Sequence, residues 1–365
     1  MKLMKRFHLA AMAAAMLAPA AMAADLGGNC CADLEERVAE LEATAARKGT
    51  RKMSLTVYGH VNYGVMWLDA PGVSQKTITN NPLDPTRFGI KGEAKFGSGL
   101  SAGYLLEIGT DQASFSGKTD DVLNIRHSAM YLKSDSLGAV WLGKTSTATD
   151  GISEISLANV KPASKMLNID PLAGTYLAGS NLPFDGTREN VLRYDSPVLQ
   201  GLSVSAAWIA DKGDDAWDVA LRYNVDLGDF SLAAGAGYRT EPSVFFSEKV
   251  KTLTGSASIK HQVTGLFLSG AYGKIDGTTF NGFLPFQDSK AWHVQAGIER
   301  KPFDIGKTTL YGEFAELKQF NSTIQMYGAG LVQSIEGANM DLYVGYRNYD
   351  DVKIQTLMTG AVIRF

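Results

Sequence analysis

Strict alternation of apolar and polar residues over most of the chain is the feature that most constrains the fold. In the last segment Leu357, Ala361, Ile363 and the terminal Phe365 share one parity, and similar alternation begins near residue 53. Successive side chains of a β-strand point to opposite faces, so this pattern predicts strands with one apolar and one wet face. We count sixteen such segments between residues 53 and 365. An even number of amphipathic strands predicts a closed antiparallel transmembrane β-barrel in an all-β fold.

The segment 87–96 shows the clearest alternation of apolar and polar residues. Its two parities separate completely, with Phe88, Ile90, Ala94 and Phe96 set against Arg87, Lys91, Glu93 and Lys95. The mean hydropathy of −0.07 and the 20% of charged residues would suit a soluble protein. A membrane barrel hides its character in this way, because only alternate residues face lipid.

The beginning of the chain predicts export. Lys2, Lys5 and Arg6 precede a short apolar run, and Ala21 and Ala23 form a small-residue cleavage site. Residues 1–24 therefore read as a signal peptide, and a barrel in an exported protein predicts the outer membrane. The chain has a net charge of −3, and removal of the three cations makes it more acidic, which argues against nucleic acid as a partner.

A different module, residues 25–52, precedes the barrel segment 53–365. Asp33 begins a predicted helix in which Leu34, Val38 and Leu41 repeat at spacings of four and three. The pattern predicts a short periplasmic coiled coil. A helix of this length is marginal alone, so it would form when other contacts bring copies together. The alternative is a single amphipathic helix.

Cys30 and Cys31 are the two cysteines of the chain. An oxidising compartment allows interchain disulfides between bundled copies, and unpaired thiols are the alternative. Lipidation is disfavoured because Asn29, rather than a small residue, precedes Cys30.

The predicted connections differ in length. The short ones, near 97–99, 227–229, 302–307 and 336–339, predict periplasmic turns. The segment 145–187 is by far the longest, and such loops are usually functional. All five tryptophans, Trp141 included, are assigned to the apolar parity. An aromatic girdle at the membrane interfaces is predicted from Trp67, Trp208, Trp217, Trp292 and Phe365.

Five motifs follow one another in the strand order of a known family. They are Thr-Arg-Phe-Gly-Ile-Lys-Gly-Glu-Ala-Lys-Phe (86–96), Gly-Leu-Ser-Ala-Gly-Tyr (99–104), Ile-Arg-His-Ser-Ala-Met-Tyr-Leu-Lys (125–133), Gly-Ala-Val-Trp-Leu-Gly-Lys (138–144) and Asn-Val-Leu-Arg-Tyr-Asp-Ser-Pro (190–197). Together they resemble the trimeric 16-stranded general porins. The resemblance implies a homotrimer, and it implies that the third external loop folds into the barrel. Some members look similar in carrying an N-terminal heptad segment, which suggests a trimer bundle or a cell-wall contact.

The resemblance also implies a charged constriction, in which acidic loop residues face a ladder of basic wall residues. The matching basic positions are Arg87, Arg126, Lys144, Arg188 and Arg193, with Lys144 in place of the usual arginine. The acidic candidates on the loop are Asp150, Glu154 and Asp170, and Asp185 is a weaker one. Opposed charges across a narrow aqueous gap orient polar solutes and exclude apolar ones.

These observations predict passive diffusion of small hydrophilic solutes and ions through the channel. A substrate-specific channel is an alternative that Tyr176, Phe184, Tyr311 and Tyr343 leave open, and a structural anchor is an alternative that the heptad segment leaves open. No cofactor or metal is expected, because no His/Cys/Asp cluster has ligand spacing. Gly-Leu-Ser-Ala-Gly (99–103) matches a nucleophile elbow but lacks its helix, and His127, assigned to the apolar parity, has no carboxylate spacing that marks a base. An enzyme is therefore not expected.

Overall fold

The computed structural model describes residues 53–110, 123–167, 184–210, 216–243, 249–277, 279–280, 285–286, 288–319 and 322–365. The signal-peptide and heptad segments, with Leu34, Val38, Leu41 and the two cysteines, lie outside the described residues. So do the loop residues Asp170 and Tyr176.

The described chain is almost entirely β. In chain order its strands are β1 (Thr56–Ala70), β2 (Val73–Asn80), β3 (Arg87–Phe96), β4 (Leu100–Thr110), β5 (Leu123–Ser134), β6 (Gly138–Ser146), β7 (Arg188–Asp195), β8 (Leu202–Ile209), β9 (Trp217–Leu227), β10 (Phe230–Pro242), β11 (Lys249–His261), β12 (Leu266–Asp276), β13 (Thr279–Phe280), β14 (Pro285–Phe286), β15 (Ser289–Phe303), β16 (Gly306–Gln319), β17 (Ser322–Ile335), β18 (Met340–Tyr349) and β19 (Ile354–Arg364). Single 3₁₀ turns occur at Ile152–Glu154, Glu336–Ala338 and Asp350–Val352. Among the described residues, no helix is long and apolar enough to cross a membrane.

The sheet closes on itself. Every strand of the wall pairs antiparallel with its neighbours, and β19 returns to β1 with His60 opposite Arg364. The last residue completes the seam: Gly59 N–H donates to the Phe365 carbonyl over 3.0 Å, and Phe365 N–H returns the bond over 3.1 Å. Closure leaves no unpaired edge in the hydrocarbon, which is the condition for a sheet to span a membrane. The predicted 16-stranded barrel is confirmed.

Strand β2 belongs to the same sheet but not to the ring of sixteen, and the sequence did not predict it. Its residues pair with Tyr63–Ala70 of β1, whereas β3 pairs with Thr56–His60 on the same side. The C-terminal part of β1 thus extends beyond the start of β3. Strand β2 supplies the backbone partners that this overhang would otherwise lack.

Burial is inverted relative to a soluble protein. Large apolar side chains such as Met130 and Leu310 are 62% and 54% exposed, whereas Asn62, Ser269 and Gln295 are fully buried. A soluble fold would place these residue types the other way round. The outer face is therefore the lipid-facing one, and the polar parity faces the lumen.

Two parity assignments made from the sequence are wrong. Val140 and Leu142 are on the exposed outer face, so Trp141 between them points into the lumen. The run Ala-Val-Trp-Leu is apolar at every position, and it could not reveal its own parity. His127 also faces the lumen, because the register between β4 and β5 shifts at Glu107/Ile108 and leaves Arg126 as an extra residue. This bulge reverses the alternation that the sequence seemed to show.

The two ends of the barrel differ. At one end, which we call the short-turn end, tight connections join the strands, and Gly97, Gly99 and Gly228 there have φ of 62°, 73° and 63°. Such positive values favour glycine, which has no Cβ to clash. The opposite end, the long-loop end, has the connection between β6 and β7.

Candidate channel constriction

The long loop lies inside the barrel against the inner wall. Its backbone N–H groups donate to wall side chains on three strands spaced along the wall: Thr149 to Asp218 on β9 over 2.9 Å, Leu157 to Ser258 on β11 over 3.0 Å and Leu167 to His293 on β15 over 3.1 Å. Unpaired backbone groups in a lumen would otherwise need water, so these bonds fix the path of the loop. The loop follows the wall from β9 round towards β18.

The loop also covers the apolar part of the inner wall. Ala158, Val160 and Ala163 pack into one buried cluster with Tyr311 and Tyr343. Phe184 lies in a second cluster with Met166 and Leu167. Apolar contact therefore adds to the hydrogen bonds in holding the loop. Tyr311, Tyr343 and Phe184, the described residues that left a substrate-specific channel open as an alternative, are at most 3% exposed and offer no open aromatic surface to the lumen.

A buried cluster of polar side chains holds the middle of the loop against the wall. Glu313 accepts from Arg347 Nε over 2.8 Å and contacts His293 Nε2 at 3.0 Å, and the Ser164 hydroxyl of the loop also donates to it. The Glu313 carboxylate is fully paired in this way, which is the arrangement that a buried charge requires. None of its wall members was predicted from the sequence.

The opposite wall, formed by β3 to β7, contains the predicted basic residues. Arg87 is paired with Asp84, and Arg126 Nε donates to Glu107 Oε1 over 2.6 Å. The β-bulge at Arg126 lets both Arg126 and His127 face the lumen, where His127 Nδ1 contacts Thr145 Oγ1 at 3.0 Å. Bulges often re-aim side chains at functional sites in this way.

The remaining predicted basic residues have different surroundings. Arg188 Nη2 lies 3.7 Å from Asp150 Oδ2 at the start of the loop. Arg193 faces the lumen nearer the short-turn end, 3.0 Å from Asp195 and 5.2 Å from the ring of Trp141. Lys144 does not face the lumen with the other basic residues. It lies opposite Ser128 of β5 and has the same parity as the exposed Leu142, so its side chain is on the outer face. The same apolar run that hid the parity of Trp141 hid that of Lys144.

The acidic candidates lie mainly against the loop itself. Asp150 accepts from Ser146 Oγ over 2.6 Å, and Glu154 accepts from Lys165 over 2.9 Å. Asp185 accepts two bonds from Ser153, from its N–H over 2.8 Å and from its hydroxyl over 2.6 Å. Burial raises the pKa of Asp185 to about 7, and the nearby carboxylate of Glu154 acts in the same direction.

Two carboxylates that balance the arginines, Glu107 and Asp84, were not predicted from the sequence. Glu107 has a detectable signal, because it is the one charged residue of β4 and lies on its polar parity. Asp84 lies in a connection between strands and has no such signal. Burial alone would raise the pKa of Asp84, but the positive charges of Lys161 and Arg87 outweigh it and lower the pKa. Among the charged loop residues that the structure describes, Lys161 is the most exposed, with 56% of its side chain accessible to solvent.

The outer face shows where the predicted girdle lies. Trp208, Trp217 and Trp292 are about 40% exposed near the long-loop end, Trp67 shares that end and the outward parity, and Phe365 is 61% exposed at the other end. Their role at the lipid interfaces stays a prediction.

A closed barrel with an apolar outer belt, a polar lumen and an inward loop that narrows it defines a transmembrane channel protein. Comparison with family models leads to one assignment. The chain belongs to the Gram-negative porins, whose family model matches residues 9–353. The predicted outer-membrane location and channel class are thereby confirmed.

Three solved structures illustrate the similarity of fold. The anion-selective porin from Comamonas acidovorans has 17% identity and a TM-score of 0.62, over 86% of this chain and 100% of that one. The trimer form of OmpT from Vibrio cholerae has 13% identity and a TM-score of 0.59, over 86% and 99%. OmpF from Salmonella typhi in complex with daunomycin has 13% identity and a TM-score of 0.58, over 85% and 97%. A comparison with curated proteins finds no match.

Proposed function

We propose that the protein is a general diffusion porin whose constriction lies between the inward loop and the β3–β7 wall. The observation that supports this is an asymmetry: the loop is bonded to the wall from β9 to β18, whereas Arg87 and Arg126 lie on the other side. We expect the water-filled space to lie on that side, because charged groups rather than apolar contacts face the loop there. Arg87, Arg126 and Arg188 are the basic residues proposed to line it, with Asp150 and Glu154 across from them.

Single-channel recording tests this function. The purified protein is reconstituted in a planar bilayer, and conductance is measured at increasing salt concentration. A diffusion pore gives a conductance that rises almost linearly with salt and shows no saturation by any one small ion. Silence from protein that migrates as a folded barrel would contradict the proposal.

We also propose that the mature chain begins after residue 24 and assembles as a homotrimer, aided by the segment 25–52. Similar solved structures include a trimer form, and the heptad positions Leu34, Val38 and Leu41 support the bundle. Bundling would bring Cys30 and Cys31 of three copies together. Electrophoresis without heating, with and without reductant, tests both points: a reductant-sensitive trimer supports the disulfides, and a barrel that stays monomeric contradicts the assembly. A cell-wall contact of this segment would appear as co-sedimentation with purified peptidoglycan.

A further inference from the structure

Aromatic side chains gather on the inner wall on the short-turn side of the arginines. Tyr131 on β5 and Trp141 on β6 have ring centroids 4.5 Å apart. With Tyr58, Lys91, Glu93 and Leu105 they line a cavity of about 520 Å³. This volume falls in the range of roughly 300–1,000 Å³ typical of small-molecule sites. We call these six residues the aromatic ledge.

The rings of the ledge are held in place before any solute arrives. The Tyr58 hydroxyl donates to Glu107 Oε2 over 2.9 Å, and the Tyr131 hydroxyl donates to Glu93 Oε2 over 2.8 Å. Each of these two rings also covers a glycine. A Cβ added at Gly89 would lie 2.6 Å from the Tyr58 ring, and one added at Gly103 would lie 2.2 Å from the Tyr131 ring. A site with fixed side chains loses less conformational entropy on binding than a flexible one.

The ledge has an unpaired positive charge. Lys91 Nζ lies 5.3 Å from the centroid of Tyr58 and has no carboxylate partner among the described residues. Glu93, the acidic residue of the ledge, accepts the Tyr131 hydroxyl instead. An exposed cation–π contact is weak, so the ammonium can turn to a stronger partner at little cost.

Rings next to an available ammonium define the chemistry of a matching solute. We infer that the aromatic ledge is a subsite for aromatic carboxylates, with the carboxylate on Lys91 and the ring against Tyr131, Trp141 and Leu105. Aliphatic acids lack the ring contact, and neutral aromatic compounds lack the ion pair. The inference rests on the proposed function, because a solute reaches the ledge through an open lumen.

Calorimetry on the full-length protein in detergent tests the ledge directly. Benzoate is titrated as the probe, with acetate and benzyl alcohol as separate titrants. We expect saturable heat for benzoate alone. The Lys91→Gln variant should weaken it about tenfold, since a charge-assisted hydrogen bond is lost.

Lys95→Gln is the matched control, because Lys95 lies on the same strand and parity but does not line the cavity. It should bind benzoate as the wild type does. Absence of saturable heat, or equal weakening by the two substitutions, would overturn the inference. Single-channel currents of the same samples are recorded in bilayers with and without benzoate. A conducting pore that does not bind benzoate would contradict the aromatic-carboxylate subsite alone. Protein that binds benzoate but does not conduct would contradict the diffusion pore alone.

Discussion

Asp218 shows how one buried carboxylate can position a long loop. It lies on β9 with no exposed surface and accepts from Ala148 N–H, Thr149 N–H and the Thr149 hydroxyl over 3.0, 2.9 and 2.6 Å. Removal of a carboxylate that accepts several hydrogen bonds in this way leaves buried donors unpaired.

The Asp218→Ala variant should therefore release the first part of the loop from the wall. We expect larger and noisier single-channel currents, with a local loss of about 1–3 kcal/mol for the unpaired donors. The control is Asp226→Asn on the same strand, whose partner is Ser231 rather than the loop. Unchanged current in Asp218→Ala would show that the loop is held by its other contacts.

Asp185 predicts a pH dependence at the other end of the loop. Its pKa of about 7 exceeds the ordinary carboxyl value of about 4, so the folded loop keeps a proton that an unfolded loop would release. The free energy that holds this contact is complete below about pH 4 and falls as the pH rises from 4 to 7. Current fluctuations should then increase between pH 5 and 8 with a midpoint near 7. The Asp185→Asn variant should remove this midpoint, and its persistence would assign the titration to another group.

At the scale of strands, several tyrosines on the lumen face lie over a glycine of the neighbouring strand. Tyr343 lies over Gly360 at the β18–β19 pair, where an added Cβ would be 2.4 Å from the hydroxyl oxygen and 2.4 Å from the Tyr63 carbonyl. Glycine at such positions lets the ring pack flat on the sheet and allows the strands to curve.

Gly360→Ala should accordingly destabilise the closing strand by about 1–3 kcal/mol through overpacking. The measurement is the temperature at which the folded barrel loses its compact mobility on a gel. Gly337→Ala is the control, because nothing lies within 4 Å of a Cβ at that turn. Equal transitions for the two variants would contradict the packing argument.

For the whole molecule, the pattern of charge bears on ion selectivity. Asp84, in the connection before β3, and Glu107 on β4 are almost fully buried beside their arginines, whereas Lys161 on the loop remains exposed. Lys161 is thus the most exposed charge of this group, and its positive charge should favour anions.

A salt gradient across the bilayer should give a reversal potential of the anion-selective sign. Lys161→Glu should move it towards cations. Lys290→Glu makes the same change of charge on the outer parity of β15 that Trp292 shares, and it should leave the potential unaltered. Cation selectivity in the wild type would contradict this account of the lumen.

The sequence by itself determined the barrel. Alternation alone locates all sixteen strands of the wall. Each strand faces lipid on one side and water on the other, so apolar and polar residues must alternate along it. The polar parity likewise places Arg87 and Arg193 in the lumen.

Only the tertiary structure decided which polar groups meet. Glu107 and Arg126 are 19 residues apart and pair through a bulge that no alternation pattern reveals, and Asp218 is bonded to a loop about 70 residues away. The period-2 alternation of a strand depends on the lipid and water on its two faces, so a short stretch of sequence is enough to reveal it. The path of a long loop and the partners of buried charges depend on contacts distant in sequence, so the three-dimensional fold is needed to determine them.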